Sequence, residues 1–344
     1  MDSNFYRYIF MLRKPEPVGH ISDIVNGNTS KQHCVLCVAT DISEIKTLDT
    51  FLGCKVTHSP LMLNNACAVI INGHGRKARK AMSASTALEL PKLYLEQGPL
   101  YTHTHKKHKP LSLVLDDRDF HYSAKRQTHL ENLIAKELDE DQQQRAQGII
   151  EQWRKARASK YNQRPEPEKM PSGRYVLIVE QAPDDPTLAE GLAESHELQH
   201  LQKLAEREYP DCEVVTITDQ HHPVALLENA RALFTATSYL GFEALLWGVP
   251  VYATGMPFYA GWGLTQDFIP APSRRQPVSL EQLVYAKLVT YSRYVHPETE
   301  ERCEVEDILQ LLPESRREAL QKYDHNQGEW QKTPKFIRWL VGKK

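Results

Sequence analysis

No apolar run in this sequence approaches the ~20 residues that a membrane span requires. The N-terminal stretch has an apolar patch only from Tyr6 to Leu12. It has no basic leading region and no small-residue cleavage site, so it does not read as a signal peptide, and a cytoplasmic location is expected. The chain has little net charge, −2 in 344 residues, which gives no sign of a nucleic-acid partner. There is no P-loop, no GxGxxG fingerprint and no G-x-S-x-G elbow, so neither a phosphate-hydrolysing motor nor an α/β-hydrolase is supported. No internal repeat is present. Cysteine is sparse, with six residues, and one CxxC pair, Cys34 and Cys37, lies within HCVLCVAT. A redox or zinc role stands beside a simpler reading as a buried strand, and no second CxxC completes a metal site. No metal is expected.

What is present is a succession of strand-like apolar runs. They cover 34–39, 66–72, 93–97, 111–116, 175–181, 212–218, 230–237 and 249–254. Helical patterns fall between many of them: 127–159 is long, charged and 3.6-periodic, and 195–208 and 241–248 follow strands directly. Such alternation predicts α/β units with mostly parallel sheets. A proline-rich, charged stretch, NQRPEPEKMPSG at 162–173, reads as a linker. The expected organisation is a Rossmann-like domain over 1–165, a second over 166–313, and a basic, aromatic tail over 314–344. Two such lobes face a cleft lined by strand carboxyl ends. This is the GT-B layout, although the pattern leaves other two-lobed folds open. The tail segment 329–344 mixes two tryptophans with five lysine or arginine residues. It suits either an anionic inner-membrane surface or packing against a lobe.

Several positions carry candidate chemistry. In TATSYLGFEALLWG, a strand ends at Thr237-Ser238, Gly241 permits close approach, and Glu243 lies in the first turn of a helix. That arrangement suits a phosphate, or an ordinary capped helix. In VEQAPDDPTLAEG, Asp184, Asp185 and Thr187 occupy the loop after a strand, with Asp185 also a helix cap before Pro186. Glu96 closes a strand before Gly98-Pro99, a position open to acid/base work. The basic runs HGRKARK (74–80) and HTHKKHK (103–109) are either solvated faces or docking points for an anionic acceptor. His222-Pro223 precedes a helical pattern and also reads as a plain turn.

Taken together, these motifs resemble the capsule-polysaccharide β-Kdo transferases of the KpsC type. The elements TS-x-x-GFEAL and G-x-PFYAGWGLT carry the resemblance most specifically. It continues through YLEQGPL, KPLSLVLDDRDFHYSAKRQTHLENLI, SKYN, VLIVEQAPDDPTL and SLEQLVYAKLVTYSRYVHPET, spanning about 68–312. The resemblance implies a GT-B-like fold and a single module. It implies a CMP-Kdo donor, no cofactor or metal, retention of anomeric configuration and a lipid-linked capsule or lipopolysaccharide acceptor. By position it implies Asp185 as nucleophile and Glu96 as acid/base. Gln181, Thr187, His222, Thr237, Ser238, Gly241, Glu243, Tyr259, Gly261 and Trp262 would serve the donor. Arg76, Lys77, Lys106, Lys107 and Lys160 would face the anionic sugar or acceptor. Two departures fall on chemistry. Gln97 stands where the family has aspartate, and a glutamine does not exchange protons. His222-Pro223 follows Asp219-Gln220 rather than a lysine. They carry a second reading, a non-catalytic relative that binds nucleotide sugar or glycolipid or scaffolds an assembly complex.

Overall fold

The computed structural model describes residues 20–28, 34–38, 45–58, 66–100, 110–162, 164–167, 169–193, 198–218 and 221–313. Lys106, Lys107 and the tail 314–344 lie outside the described residues, as does the whole of the 103–109 run.

Two sheets organise the chain. The first contains β1 (Cys34–Leu36), β2 (Lys55–Thr57), β3 (Ala66–Ile71), β4 (Lys92–Gln97) and β5 (Ser112–Asp116). The second contains β6 (Tyr175–Val179), β7 (Glu213–Ile217), β8 (Leu233–Thr235), β9 (Val251–Ala253) and β10 (Gln266–Asp267), in the order β10-β9-β8-β6-β7. Every pairing in this second sheet is parallel. Its central strand β6 is buried along its length, as a strand covered on both faces must be. The architecture is α/β and GT-B-like, with two Rossmann-like units whose strand ends meet between them.

The division of the chain differs from the sequence reading, which gives 166–313 to one unit. The chain leaves the second sheet after β10 and returns to the first. There β11 (Ser292–Val295) pairs antiparallel with β5, and β12 (Arg302–Cys303) pairs with β11. The first sheet therefore runs β12-β11-β5-β4-β3-β1-β2. One residue explains the return. Arg293, buried, donates to the carbonyls of Phe51 and Leu52, each at 3.1 Å, and to those of Ile24 and Val25. These carbonyls close the short helices Ile21–Val25 and Leu48–Leu52, and a cation is favourable at such ends. Burial pulls the Arg293 guanidinium down to about 9.

The periodic 127–159 stretch is two helices, His129–Ile134 and Glu140–Lys155. Thr128 caps the first, accepting from the Glu131 amide at 3.2 Å. Asp139 and Gln142 cap the second reciprocally, at 2.9 and 3.2 Å. The second helix buries Ala146, Ile149, Ile150 and Trp153. These belong to one core that joins both sheets through Val114, Leu177, Leu246 and Leu288.

The CxxC pair lies in this framework as buried thiols, Cys34 at the start of β1 and Cys37 just after it. Burial raises the Cys34 thiol and pushes Cys54 up to about 12 and Cys67 up to about 11, so these groups are held protonated.

Candidate active site

The carboxyl end of β6 leads to Gln181, whose side chain anchors the second-sheet side of the cleft. Its amide oxygen accepts from the Thr237 backbone at 2.8 Å, which ties the ends of β6 and β8 together. Its amide nitrogen donates to Thr237 Oγ1 at 3.1 Å and to Asp185 Oδ2 at 3.2 Å. Asp185 caps the helix Pro186–Glu190, and its Oδ1 accepts from the Thr187 amide at 2.9 Å and the Thr187 hydroxyl at 2.8 Å. Thr187 and Thr237 hydroxyls meet at 2.9 Å. Thus Gln181, Asp185, Thr187 and Thr237 form one network, and Asp185 is oriented through both oxygens. Glycine is required around it. A Cβ on Gly191 would lie 2.6 Å, and one on Gly255 2.8 Å, from the Thr237 methyl.

The loop Gly255–Asp267 walls this side. Tyr259 lies over Gly241, where an added Cβ would be 2.1 Å from the tyrosine hydroxyl. That hydroxyl donates to the Ser238 carbonyl at 2.6 Å. Trp262 donates from its indole to the Phe258 carbonyl at 2.9 Å. Gly261 and Gly263 take left-handed φ values of 80° and 77°, and the Gly261 amide donates to Asp267 at 2.9 Å. Buried Arg275 holds the loop by donating to the Pro257 and Ala260 carbonyls at 2.7 and 2.8 Å. It also pairs with Glu131 at 2.7 Å, as does Arg274 at 2.7 Å, so one buried carboxylate latches the loop to a helix of the other unit.

Tyr259, Trp262 and Glu243 are fully buried. The structure therefore places them inside the wall, where they support it, rather than on a surface that meets a donor. Glu243 instead accepts from the Lys160 amide at 2.7 Å and fastens the SKYN segment to the helix Leu240–Leu246. Burial pushes its carboxyl up to about 7. Ser238 is also enclosed, its hydroxyl accepting from the Leu240 amide at 3.2 Å. His222 is buried against the connector, its amide donating to the Pro165 carbonyl at 2.7 Å.

On the first-sheet side, half-buried Glu96 accepts from the Gly73 amide at 3.1 Å. Gly73 leads into the helix Arg76–Leu88, whose first residues Arg76 and Lys77 are exposed. Burial pushes the Glu96 carboxyl up to about 7, opposed by the Gly73 amide, the Lys160 charge and the Gln97 amide. Lys160 joins the two sides. Burial lowers its ammonium, and Glu96, Asp185 and Glu243 all act to raise it. It also lies 5.2 Å from the centre of the Tyr239 ring. Glu96 and Asp185, from different sheets, therefore share one cation.

Three residues of this site were not singled out from the sequence. Tyr122 makes a 2.8 Å hydrogen bond with the His74 ring, and burial together with Glu96 and Asp185 raises its phenol. His121 packs against Phe258 and Tyr291 at ring separations of 5.8 and 6.2 Å. Lys287 lies fully buried, 4.8 Å from the Phe258 ring and 5.0 Å from the Tyr291 ring. Two such desolvated ring contacts return about 4 kcal/mol. Burying an ammonium costs several kcal/mol, and the rings leave its N–H donors without an acceptor, so packing alone does not account for this lysine. The motif DDRDFHYSAK holds His121 and Tyr122, but spacing in sequence does not reveal which cleft they line.

Comparisons with known proteins bear on the family and the fold. Residues 195–294 match the family model described as "Capsule polysaccharide biosynthesis protein". The chain is 30% identical over 304 residues to the capsule polysaccharide modification protein LipA of Neisseria meningitidis serogroup A, covering 76% of this chain and 43% of LipA. It is 29% identical over 237 residues to the lipopolysaccharide-processing protein LpsZ of Rhizobium meliloti, covering 59% of this chain and 54% of LpsZ. The chain thus spans about half the length of these relatives. Among solved structures, the β-Kdo 2,4 transferase of Thermosulfurimonas dismutans KpsC superposes with a TM-score of 0.74 and 28% identity, covering 83% of this chain and 99% of that one. The β-Kdo 2,7 transferase of the same protein gives 0.62 at 22% identity and shares the fold.

Proposed function

Because the chain belongs to the KpsC-type capsule polysaccharide family, we propose that it is a retaining glycosyltransferase moving Kdo, or a related ulosonic acid, from a CMP donor to an anionic glycolipid acceptor. The observation that carries this reading is that Glu96 and Asp185, from the two sheets, both act electrostatically on buried Lys160. Retaining transfer needs two carboxyl groups in one site with different duties. Asp185, held through both oxygens, serves as the nucleophile in this reading. It forms a bond to the anomeric carbon as the bond to the CMP phosphate breaks, and CMP leaves as an anion. Glu96, with its carboxyl near neutrality, then takes the acceptor hydroxyl proton as that oxygen displaces Asp185. Two inversions give net retention. In this reading Glu96 does the proton work, so Gln97 at the neighbouring position does not stop the reaction. Lys160 balances the charge of both carboxylates.

The direct test is release of CMP from CMP-Kdo. Asp185→Asn keeps one oxygen to accept from the Thr187 amide as the cap, gives up the acceptor facing Gln181 and removes the nucleophile, and turnover should fall at least about a thousandfold. Full turnover by that variant, measured beside an unchanged melting temperature, would remove Asp185 from the role. Binding of CMP with no turnover by the wild-type chain would favour the non-catalytic reading.

A further inference from the structure

Lys287 has no part in the two-step scheme, yet its position is unusual. The helix Leu280–Val284 continues as a seven-residue π-helical stretch, Tyr285–Tyr291, a wide-turned conformation that is rare and concentrated at functional sites. Lys287 projects from it into full burial, and its Nζ has no hydrogen-bond partner among the described residues. The rings of Phe258 and Tyr291 contact the charge but satisfy none of its three N–H donors. The His121 Nδ1, from another segment beside the same two rings, is also buried without a partner. His121 and Tyr291 line a narrow seam together with Glu96 and Asp116.

The charges facing Lys287 do not balance it. Lys160 repels it, and Asp116 is the carboxylate within electrostatic reach. Both oxygens of Asp116 are engaged elsewhere. One accepts from the Arg118 and Asp119 amides, and the other from the His129 and Leu130 amides and the Tyr291 hydroxyl. Burial holds the Lys287 ammonium well below its ordinary range, and its N–H donors, next to a second free ring nitrogen, lack an acceptor; an anion with two or more oxygens would supply one and restore the charge.

We propose that Lys287 seats the carboxylate of the transferred acidic sugar, with His121 beside it. The assignment rests on the glycosyltransferase reading and adds which residue distinguishes an acidic sugar from a neutral one. A phosphate is the competing anion, and nucleotide affinity separates the two: a carboxylate seat at Lys287 contributes to sugar recognition and not to CMP binding. The seat also orients the ring, because a carboxylate fixed at Lys287 limits how the anomeric carbon is presented to Asp185.

The experiment measures thermal stabilisation of the full chain by Kdo, by the uncharged Kdo methyl ester and by CMP, in wild type, Lys287→Met and Lys287→Arg. Wild type should be stabilised by Kdo and not by the ester. Lys287→Met should fold with an equal or higher melting temperature, bind Kdo at least roughly tenfold more weakly and bind CMP unchanged, and Lys287→Arg should restore part of the Kdo response. Equal stabilisation of wild type and Lys287→Met by Kdo, or none of wild type, overturns the assignment. Loss of CMP affinity in Lys287→Met shows a phosphate seat and overturns it as well. Failure of the transferase reading is seen separately, as absence of CMP binding and of CMP release by the wild-type chain.

Discussion

Replacing Gly241 with alanine adds one methyl group at the tightest glycine of the fold. The new Cβ would stand 2.1 Å from the Tyr259 hydroxyl, 2.5 Å from Cζ and 2.8 Å from Cε2. The ring cannot keep its place, and its 2.6 Å hydrogen bond to the Ser238 carbonyl breaks. The Ser238 carbonyl keeps the Gly241 amide at 3.1 Å, but orphaning the buried Tyr259 hydroxyl costs about 1–3 kcal/mol. Forcing a bulky ring aside in a filled core costs about 1–3 kcal/mol more. Alanine in a helix returns at most about 1 kcal/mol. The net expectation is a loss of about 1–5 kcal/mol, a fall in melting temperature of roughly 1–7 °C for a chain of this length. Differential scanning calorimetry on wild type, Gly241→Ala, Tyr259→Phe and the double variant checks it. The double variant should lose less than the two single variants together, since both disturb the same hydrogen bond. A rise in melting temperature for Gly241→Ala would mean that helix propensity outweighs the contact, and the account of this loop would be wrong.

The remaining expectations follow from the site and its supports. The Glu96 carboxyl is raised in the folded state to about 7, so its contribution to stability is fully present below about pH 4.5 and is lost as pH rises through 7. Glu96→Gln should therefore melt higher than wild type at pH 8, match it near pH 4.5, and lose turnover; coincident melting curves at both pH values would contradict the burial argument. Glu131→Gln leaves Arg275 buried without its counter-charge and should cost about 3 kcal/mol in urea unfolding, whereas a loss below about 1 kcal/mol would show the latch to be dispensable. If 329–344 acts as a membrane foot, its deletion should reduce co-sedimentation with anionic vesicles, and unchanged sedimentation would rule that role out.

All eight expected strands are present, because buried parallel strands need continuous apolar runs and these stand out in the sequence. The return of β11 and β12 to the first sheet was not legible. YSRYV is short, and its place is set by Arg293 reaching carbonyls some 240 residues away in sequence. Within the site, Asp185, Thr187 and Thr237 were legible because strand-end loops are where such folds bind ligands. Glu243, Tyr259 and Trp262 share that neighbourhood in sequence but turn inward, a distinction that depends on packing against Gly241 and Ser159–Lys160 and not on local pattern. Lys287 and His121 stayed hidden for a similar reason, since only the fold brings YAKLV and DFHYS to the same pair of rings.

The return of the chain to its first sheet also fixes an order of assembly during synthesis. The second sheet, β6 to β10, is continuous in sequence, whereas the first has β5 at an unpaired edge until Ser292–Val295 has left the ribosome. The unit that comes second in sequence is therefore the first able to close. The earlier strands must wait with an open hydrogen-bonding edge, which is a template for wrong pairing. Chains stalled before residue 292 should resist protease across β6–β10 while β1–β5 is cut, and protection of the earlier strands should appear only once the Arg293 segment is free to dock.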